Sequence, residues 1–141
     1  MMYDGVKCEP MIRFLIPLLL FVTPVLGGNW MQGDLIDNVA GFFRVGNAKE
    51  IARYFNPSVE LSIGSKEDVY SKAQAEQILR EFFTKNHPSN AAIIHQINTN
   101  PTMRFAILLL QTRTGSYRVS VSSKKSGNLF LITELRIEQE K

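Results

Sequence analysis

Cysteine and histidine are scarce in this sequence, and basic residues form no patch. The 141 residues include one cysteine, Cys8, and two histidines, His87 and His95. A single cysteine excludes a disulfide framework, and two isolated histidines predict no metal site. The net charge is only +3, and the cations are scattered except for the adjacent pair Lys124 and Lys125. We therefore expect no nucleic-acid partner, because such partners require a basic stripe or patch.

One long apolar run is present, close to the N-terminus. The thirteen uncharged residues Phe14–Leu26 follow Arg13 and precede the small pair Gly27 and Gly28. A positive region, an apolar region and a small-residue exit are typical of a secretory signal peptide. A membrane-spanning helix needs roughly 20 apolar residues, so this run is too short for one. We expect cleavage near Gly27 or Gly28 and no stable membrane span afterwards.

The chain is therefore expected to divide at about residue 28. Residues 1–28 are predicted to be an N-terminal extension and signal peptide, and residues 29–141 a single domain. Acidic residues ahead of the apolar run are unusual for an export signal. We therefore expect that translation starts at Met11 or that the first ten residues are dispensable, and a longer signal that starts at Met1 is the alternative. Export would place the domain in the periplasm or outside the cell. There it must be stabilised by packing alone.

Three helices are predicted in the first half of the domain. Asp34 and Gly46 are typical of the start and the end of the first helix. A capping box at Asn47 begins a short second helix, which is expected to end at Asn56-Pro57. A capping box at Ser71 begins the longest helix, whose apolar residues recur at helical spacing: Ala75, Ile78, Leu79, Phe82 and Phe83.

Strands dominate the second half, where the apolar period changes from 3.6 to 2. A first half-buried strand is predicted earlier, over Ser58–Ile63, with Gly64–Asp68 after it as a turn. Short turns then join four further segments, which predicts an antiparallel meander. These four strands are Ala92–Asn98, Arg104–Thr112, Ser116–Lys124 and Leu129–Glu138.

The last hairpin has a predicted register. A three-residue loop, Lys125–Gly127, would use the glycine at its left-handed position. This loop pairs Val121 with Leu131, and it places Arg118 opposite Glu134 as an outward-facing ion pair.

The strand Arg104–Thr112 is apolar on both faces. Phe105, Ile107 and Leu109 lie on one face, and Ala106, Leu108 and Leu110 lie on the other. A sheet with helices on one face should present polar residues on its second face. We therefore expect the second face to be covered by another copy of the chain. The predicted homodimer contact on the outer sheet face consists of Leu108, Leu110, Phe130 and Ile132.

The order of elements resembles the nuclear-transport-factor-2-like (cystatin-like) fold over Gly33 to Glu138. More narrowly, the stretches GDLIDNVAGFFRVGNAKEIARYFNPSVELSI, VYSKAQAEQILREFF and ITELRIE are similar to a family of exported bacterial domains of unknown function. The resemblance implies an α+β fold, a cone in which three N-terminal helices pack on a curved, mainly antiparallel sheet. Because this superfamily includes isomerases, dehydratases, ligand binders and adaptors, the fold does not decide the function.

The resemblance also implies a conical pocket between the helices and the sheet. The residues expected at its walls, and hence the candidate ligand-binding residues, are Tyr54, Phe55, Phe82, Phe83, His95 and Tyr117. Tyr70 is a further tyrosine that can line a pocket.

Two functions stay open at this stage. The first is a non-catalytic module that binds a small apolar ligand or pairs with a protein. The alternative is a cofactor-free lyase or isomerase of the ketosteroid-isomerase-like type, in which His95 and a tyrosine transfer the proton. We favour the first, because no carboxylate accompanies His95 at a recognisable spacing. An outward-facing His95 would exclude the alternative. Neither function requires a cofactor.

Overall fold

The side chain of Asp34 begins the first helix by accepting a hydrogen bond from a backbone N–H group of its first turn. The computed structural model describes residues 34–141, so the predicted signal peptide lies outside the described residues and stays a prediction. Asp34 Oδ1 accepts a hydrogen bond from the backbone N–H of Ile36 at 3.0 Å. The helix α1 (Leu35–Val45) starts there and ends at Gly46, whose φ is 70°. Both predicted ends of this helix are confirmed.

The next two helices are also capped at their N-termini. Asn47 accepts a hydrogen bond from the amide of Glu50 before α2 (Ala48–Ala52). Both hydrogen bonds of the predicted capping box at Ser71 are present before α3 (Lys72–Lys85). Only the end of α2 differs from the prediction: it ends before Asn56-Pro57, because a strand already begins at Phe55.

Six strands form one sheet in the order β2-β1-β6-β5-β4-β3. Neighbouring strands are antiparallel except β1 and β6, which are parallel. The strands are β1 (Phe55–Ile63), β2 (Lys66–Ser71), β3 (Pro88–Ile97), β4 (Met103–Thr112), β5 (Gly115–Ser126) and β6 (Leu129–Gln139). The strand β2 was not predicted. It lies at the sheet edge with mostly exposed polar side chains, and charged residues on an edge strand prevent pairing with other chains.

The hairpin of β5 and β6 has a different register from the predicted one. A two-residue turn joins Ser126 to Leu129, where three loop residues were expected. As a result Val121 lies opposite Leu135, and Arg118 lies opposite Glu138, in the register of the two strands. The predicted partners, Leu131 and Glu134, are each four residues away from these. Because four is an even number, Val121 and Leu135 still share a face as the alternation required.

A β-bulge changes the alternation within β6. Ser122 pairs with Glu134, but Ser123 pairs with Ile132, so Thr133 is an extra residue. A bulge of this kind shifts the following residues to the opposite face. Ile132 and Leu135 therefore both face the core although they are three residues apart, and both are fully buried.

The helices cover the face of the sheet that the sequence analysis assigned to the outside. Leu108, Leu110 and Ile132 are fully buried, and Phe130 packs against the same core. The grouping of these residues was right, but their predicted position on the outer face was wrong. Alternation separates two sets of residues without deciding which set the helices cover. The outer face of β4 consists of the half-buried residues Phe105, Ile107 and Leu109.

The core lies between the inner face of the sheet and the helices. The helix α1 packs against β3 and β4, whereas α3 packs against β1 and β2. Phe43 of α1 and Phe83 of α3 meet edge to face, with ring centroids 5.6 Å apart. None of the helices in residues 34–141 has the length and apolar character needed to cross a membrane.

We expect two neighbouring leucines of β4 to differ sharply in their contribution to stability. Leu108→Ala removes a fully buried side chain and should lower the free energy of unfolding by about 2–5 kcal/mol. Leu109→Ala truncates a half-buried side chain on the outer face and should cost about 1 kcal/mol. Urea denaturation of both variants, at a concentration where the protein is monomeric, measures the difference. Equal losses would contradict the assignment of the two faces.

Candidate functional site

A pocket opens on the inner side of the sheet, between α3 and the ends of four strands. Its volume is about 410 Å³. It is lined by residues of α3, β1, β2, β5 and β6 and of the turns beside them: Leu61, Ile63, Gly64, Lys66, Tyr70, Ile78, Glu81, Phe82, Lys85, Asn86, Tyr117, Ile137 and Gln139. Pockets for small molecules generally measure 300–1,000 Å³ and combine apolar walls with a few polar groups. This pocket matches that description in size and in composition.

The helix side of the pocket is one stripe of α3. Ile78, Glu81, Phe82 and Lys85 follow the spacing i, i+3, i+4 and i+7, which puts them on one face of the helix. Phe82 is buried, and Ile78 is half-buried. Glu81 and Lys85 are exposed at the rim. The stripe is therefore apolar toward the core and charged toward water.

The sheet side of the pocket comes mainly from the parallel pair β1 and β6. Leu61 and Ile63 of β1 lie beside Leu135 and Ile137 of β6, and all four face the helices. A turn at Gly64 follows, where the φ of 63° favours glycine. The backbone N–H of Gly64 donates to the carbonyl of Ile137 at 3.0 Å, which holds this turn against β6. The apolar floor thus ends at a fixed turn.

Asn86, the residue that caps the C-terminus of α3, positions one aromatic wall of the pocket. Its Oδ1 accepts a hydrogen bond from the hydroxyl of Tyr117 at 3.1 Å and a second from Thr114. Its Nδ2 donates to the carbonyl of Phe82 at 3.0 Å. The ring of Tyr117 also meets Phe82 edge to face, with 5.1 Å between the centroids. Tyr117 is therefore fixed at both its ring and its hydroxyl.

The structure brings two of the predicted ligand-binding residues into this pocket. Phe82 and Tyr117 line it, and so does Tyr70. The other predicted aromatic residues, Tyr54, Phe55 and Phe83, are not among the lining residues. Phe55 and Phe83 are buried in the core, where their large apolar surfaces are covered from every side.

Tyr54 lies at a different place, beside α1. Its hydroxyl accepts a hydrogen bond from Nδ2 of Asn38 at 3.3 Å, and its ring lies 6.4 Å from that of Phe42. Its position between α2 and β1 therefore serves the packing of α1.

His95 lies on the outer face of the sheet, away from the pocket. It is exposed and pairs with Ile107 across β3 and β4, next to a β-bulge in β3. This corrects its predicted position at the pocket wall. The mid-strand position of His95 was evident from the sequence, but the bulge at Ile94 could not be predicted and changes which residues face inward.

The polar residues of the rim were not predicted from the sequence. Lys66 lies on the edge strand that was predicted as a turn, and Lys85 lies in the last turn of α3. The spacing of Lys85 from Ile78 and Phe82 was the available signal. Gln139 was not predicted because it lies one residue beyond the predicted end of the last strand.

A charged row occupies the outer face opposite the floor of the pocket. Arg136 contacts the carboxylates of Glu67, Glu134 and Glu138 at 3.6–3.7 Å. These carboxylates, Glu67 most strongly, raise the pKa of Arg136 above its ordinary value. Ser62 lies between Arg136 and Glu67 in the sheet and is buried, because the two long side chains flank it. Within residues 34–141 no three histidine, cysteine or acidic side chains come together as a metal site would require.

Comparisons with known proteins identify relatives of the whole domain. The profile of a family described as a domain of unknown function (DUF4783) matches residues 36–138. No curated protein is significantly similar in sequence to this chain.

Solved structures of that family share the fold over most of their length. A DUF4783 family protein from Bacteroides ovatus is 31% identical, with a TM-score of 0.70 over 73% of this chain and 93% of its own. One from Bacteroides uniformis is 28% identical, with a TM-score of 0.73 over 77% of this chain and 99% of its own. A protein with a cystatin-like fold from Nostoc punctiforme is 7% identical, with a TM-score of 0.61 over 76% of this chain and 74% of its own. The predicted nuclear-transport-factor-2-like (cystatin-like) α+β fold is thereby confirmed.

We expect loss of the Asn86 side chain to destabilise the pocket wall. Asn86→Ala leaves the hydroxyls of Tyr117 and Thr114 and the carbonyl of Phe82 without this partner. The free energy of unfolding should fall by about 1–3 kcal/mol. Asn86→Asp keeps an acceptor for both hydroxyls and should lose less. Urea denaturation compares the two variants, and an unchanged stability of Asn86→Ala would contradict the role given to this side chain.

Proposed function

This chain belongs to the DUF4783 family, and from that premise we propose that its domain binds a small, largely apolar molecule in the pocket beside α3. The observation that carries the proposal is the pocket itself, a cavity of about 410 Å³ with an apolar floor and a polar rim. The wall residue Tyr117 is held in place by its contacts with Asn86 and Phe82. A preformed wall lowers the conformational cost of binding.

Binding accounts for the pocket better than proton transfer does. A cofactor-free lyase or isomerase needs an acid or base next to the substrate. The histidine considered for that role, His95, is on the other face of the sheet. Glu81 is the one carboxylate among the lining residues, and it lies exposed on the rim. We therefore propose a binding function and no reaction.

We expect a neutral amphipathic probe to occupy the pocket. In an NMR titration with 4-phenylbutan-1-ol, the amide shifts should change in a saturable way around Ile63, Gly64 and Asn86. The expected Kd is about 1 mM or tighter for a ligand of this size. Ile78→Trp should abolish the shifts by filling the pocket. Gln77→Trp adds the same side chain at the exposed neighbouring position and should leave binding unchanged.

Two results would refute the proposal. One is the absence of saturable shifts in the wild-type protein. The other is a cluster of shifts elsewhere, with Ile78→Trp binding as the wild type does.

We also propose that the outer face of the sheet pairs with a second copy of this chain. The observation in its favour is an outer apolar patch on β3 and β4, which consists of Ile97, Met103, Phe105, Ile107 and Leu109. Ile97 is 44% exposed and Met103 39% exposed, so water now contacts part of this patch. A partly exposed apolar surface of this kind commonly marks an interface.

The positions of the charged residues of β6 are compatible with a two-fold contact centred on β4. Such a contact places the same patch of each copy against the other. The charged residues of β6 then lie at the rim, where Arg136 is already paired with Glu134 and Glu138. Apolar cores with polar rims are the usual composition of protein interfaces.

We expect the protein to sediment as a dimer at micromolar concentration. Ile107→Glu puts a charge in the centre of the outer apolar patch and should yield a monomer. Ser120→Arg, opposite Ile107 on β5, should do the same while every apolar side chain is kept. Val45→Glu, at a residue 70% exposed at the end of α1, is the control and should remain dimeric. A monomeric wild type, or folded variants that stay dimeric, would refute this contact.

A further inference from the structure

The rim of the pocket carries an excess of positive charge. Lys66 belongs to β2 and Lys85 to α3, so the two elements on either side of the pocket opening each contribute one cation. Glu81 is the only acidic residue among the lining residues. The formal charge of the lining is therefore +1. A single negative charge on a ligand would balance it.

Neither lysine is neutralised by another residue of the described part of the chain, 34–141. All six ion pairs within residues 34–141 are made by arginines, namely Arg53, Arg80, Arg118 and Arg136. Glu81 and Lys85 are four residues apart on α3, a spacing that allows an ion pair. Even so, Glu81 and Lys85 form no ion pair with each other. Both ammonium groups are therefore available to a ligand.

One uncharged polar group of the pocket, the hydroxyl of Tyr70, adds to this preference for an anion. The hydroxyl proton of Tyr117 is donated to Asn86, so Tyr117 offers a ligand no further donor. Tyr70 lines the opposite wall, and within the described part of the chain its hydroxyl has no hydrogen-bond partner. A tyrosine hydroxyl and a lysine ammonium both donate. A carboxylate accepts such hydrogen bonds, and bonds to an ionised acceptor are stronger than neutral ones.

The remainder of the lining requires an apolar body on the same ligand. Ile63, Ile78, Phe82 and Ile137 are apolar lining residues, and none of their side chains offers a hydrogen bond. We propose that the ligand is an apolar molecule that carries one carboxylate, with its apolar body against these residues and the carboxylate between Lys66 and Lys85. This inference rests on the proposed ligand-binding function and names the chemical class of the ligand.

A matched pair of probes tests the inference. Titrations with 4-phenylbutyrate and with 4-phenylbutan-1-ol compare the same apolar body with and without the charge. The carboxylate should bind several-fold more tightly than the alcohol at low salt, and salt should reduce the difference. Lys66→Gln and Lys85→Gln should each weaken carboxylate binding about two- to five-fold, as is usual for exposed ion pairs, and leave alcohol binding unchanged.

Two further variants complete the test. Glu81→Gln removes the negative charge of the rim and should strengthen carboxylate binding by a similar factor. Lys124→Gln makes the same charge change on the exposed end of β5, outside the pocket, and should have no effect.

The possible outcomes separate this inference from the function on which it rests. If both probes bind equally and the lysine variants change nothing, the pocket binds ligands but the inferred carboxylate is refuted. If neither probe binds in the pocket, the ligand-binding function fails and this inference fails with it. Weaker carboxylate binding in the Glu81→Gln variant would also overturn the inference, because it gives Glu81 the opposite role.

Discussion

The sheet buries one face against α1 and α3, and this contact decides where every other part of the domain can lie. The residues of that face are almost completely buried in all of the central strands, for example Leu108, Val119, Val121 and Leu135. With a single cysteine in the chain, no intramolecular disulfide can add to this packing. Burial of apolar surface, at about 25 cal/mol per Å², is then the main favourable contribution to folding.

The pocket is a consequence of how the helices cover the sheet. The helix α1 packs over β3 and β4, and α3 packs over β1 and β2. Between them a row of edge-to-face rings runs from Phe43 through Phe83 and Phe82 to Tyr117. Tyr117 is at the end of this row, where the floor of β1 and β6 is open to water. The same aromatic packing that closes the core therefore supplies one wall of the pocket.

The features that could be predicted from the sequence are those that depend on local interactions. The caps at Asp34 and Ser71 and the glycine at Gly46 involve residues within a few positions of each other, so their chemistry can be read directly. The spacing along α3 likewise identified the buried residues Phe82 and Phe83. These local signals, with the family resemblance, were enough to predict the three helices and the fold.

The features that were predicted wrongly depend on interactions between residues that are distant in sequence. The bulge at Thr133 is stabilised by the core packing of Ile132 and Leu135 together, which no local pattern reveals. The side of the sheet covered by helices depends on tertiary packing, and therefore Leu108 was assigned to the wrong face. For the pocket, Phe82 and Tyr117 were predicted, but Lys66 was missed because its strand is short, polar and at the sheet edge.

Native mass spectrometry of the protein purified from its host tests the ligand-binding pocket most directly. We expect the mass of the native protein to exceed that of the chain by the mass of one small molecule. This molecule should be released on unfolding and be identified as an apolar carboxylate. The Ile78→Trp variant, prepared in the same way, should lack it. A wild-type protein that carries no such mass after growth and purification under native conditions, or one that the Ile78→Trp variant retains, would contradict the account.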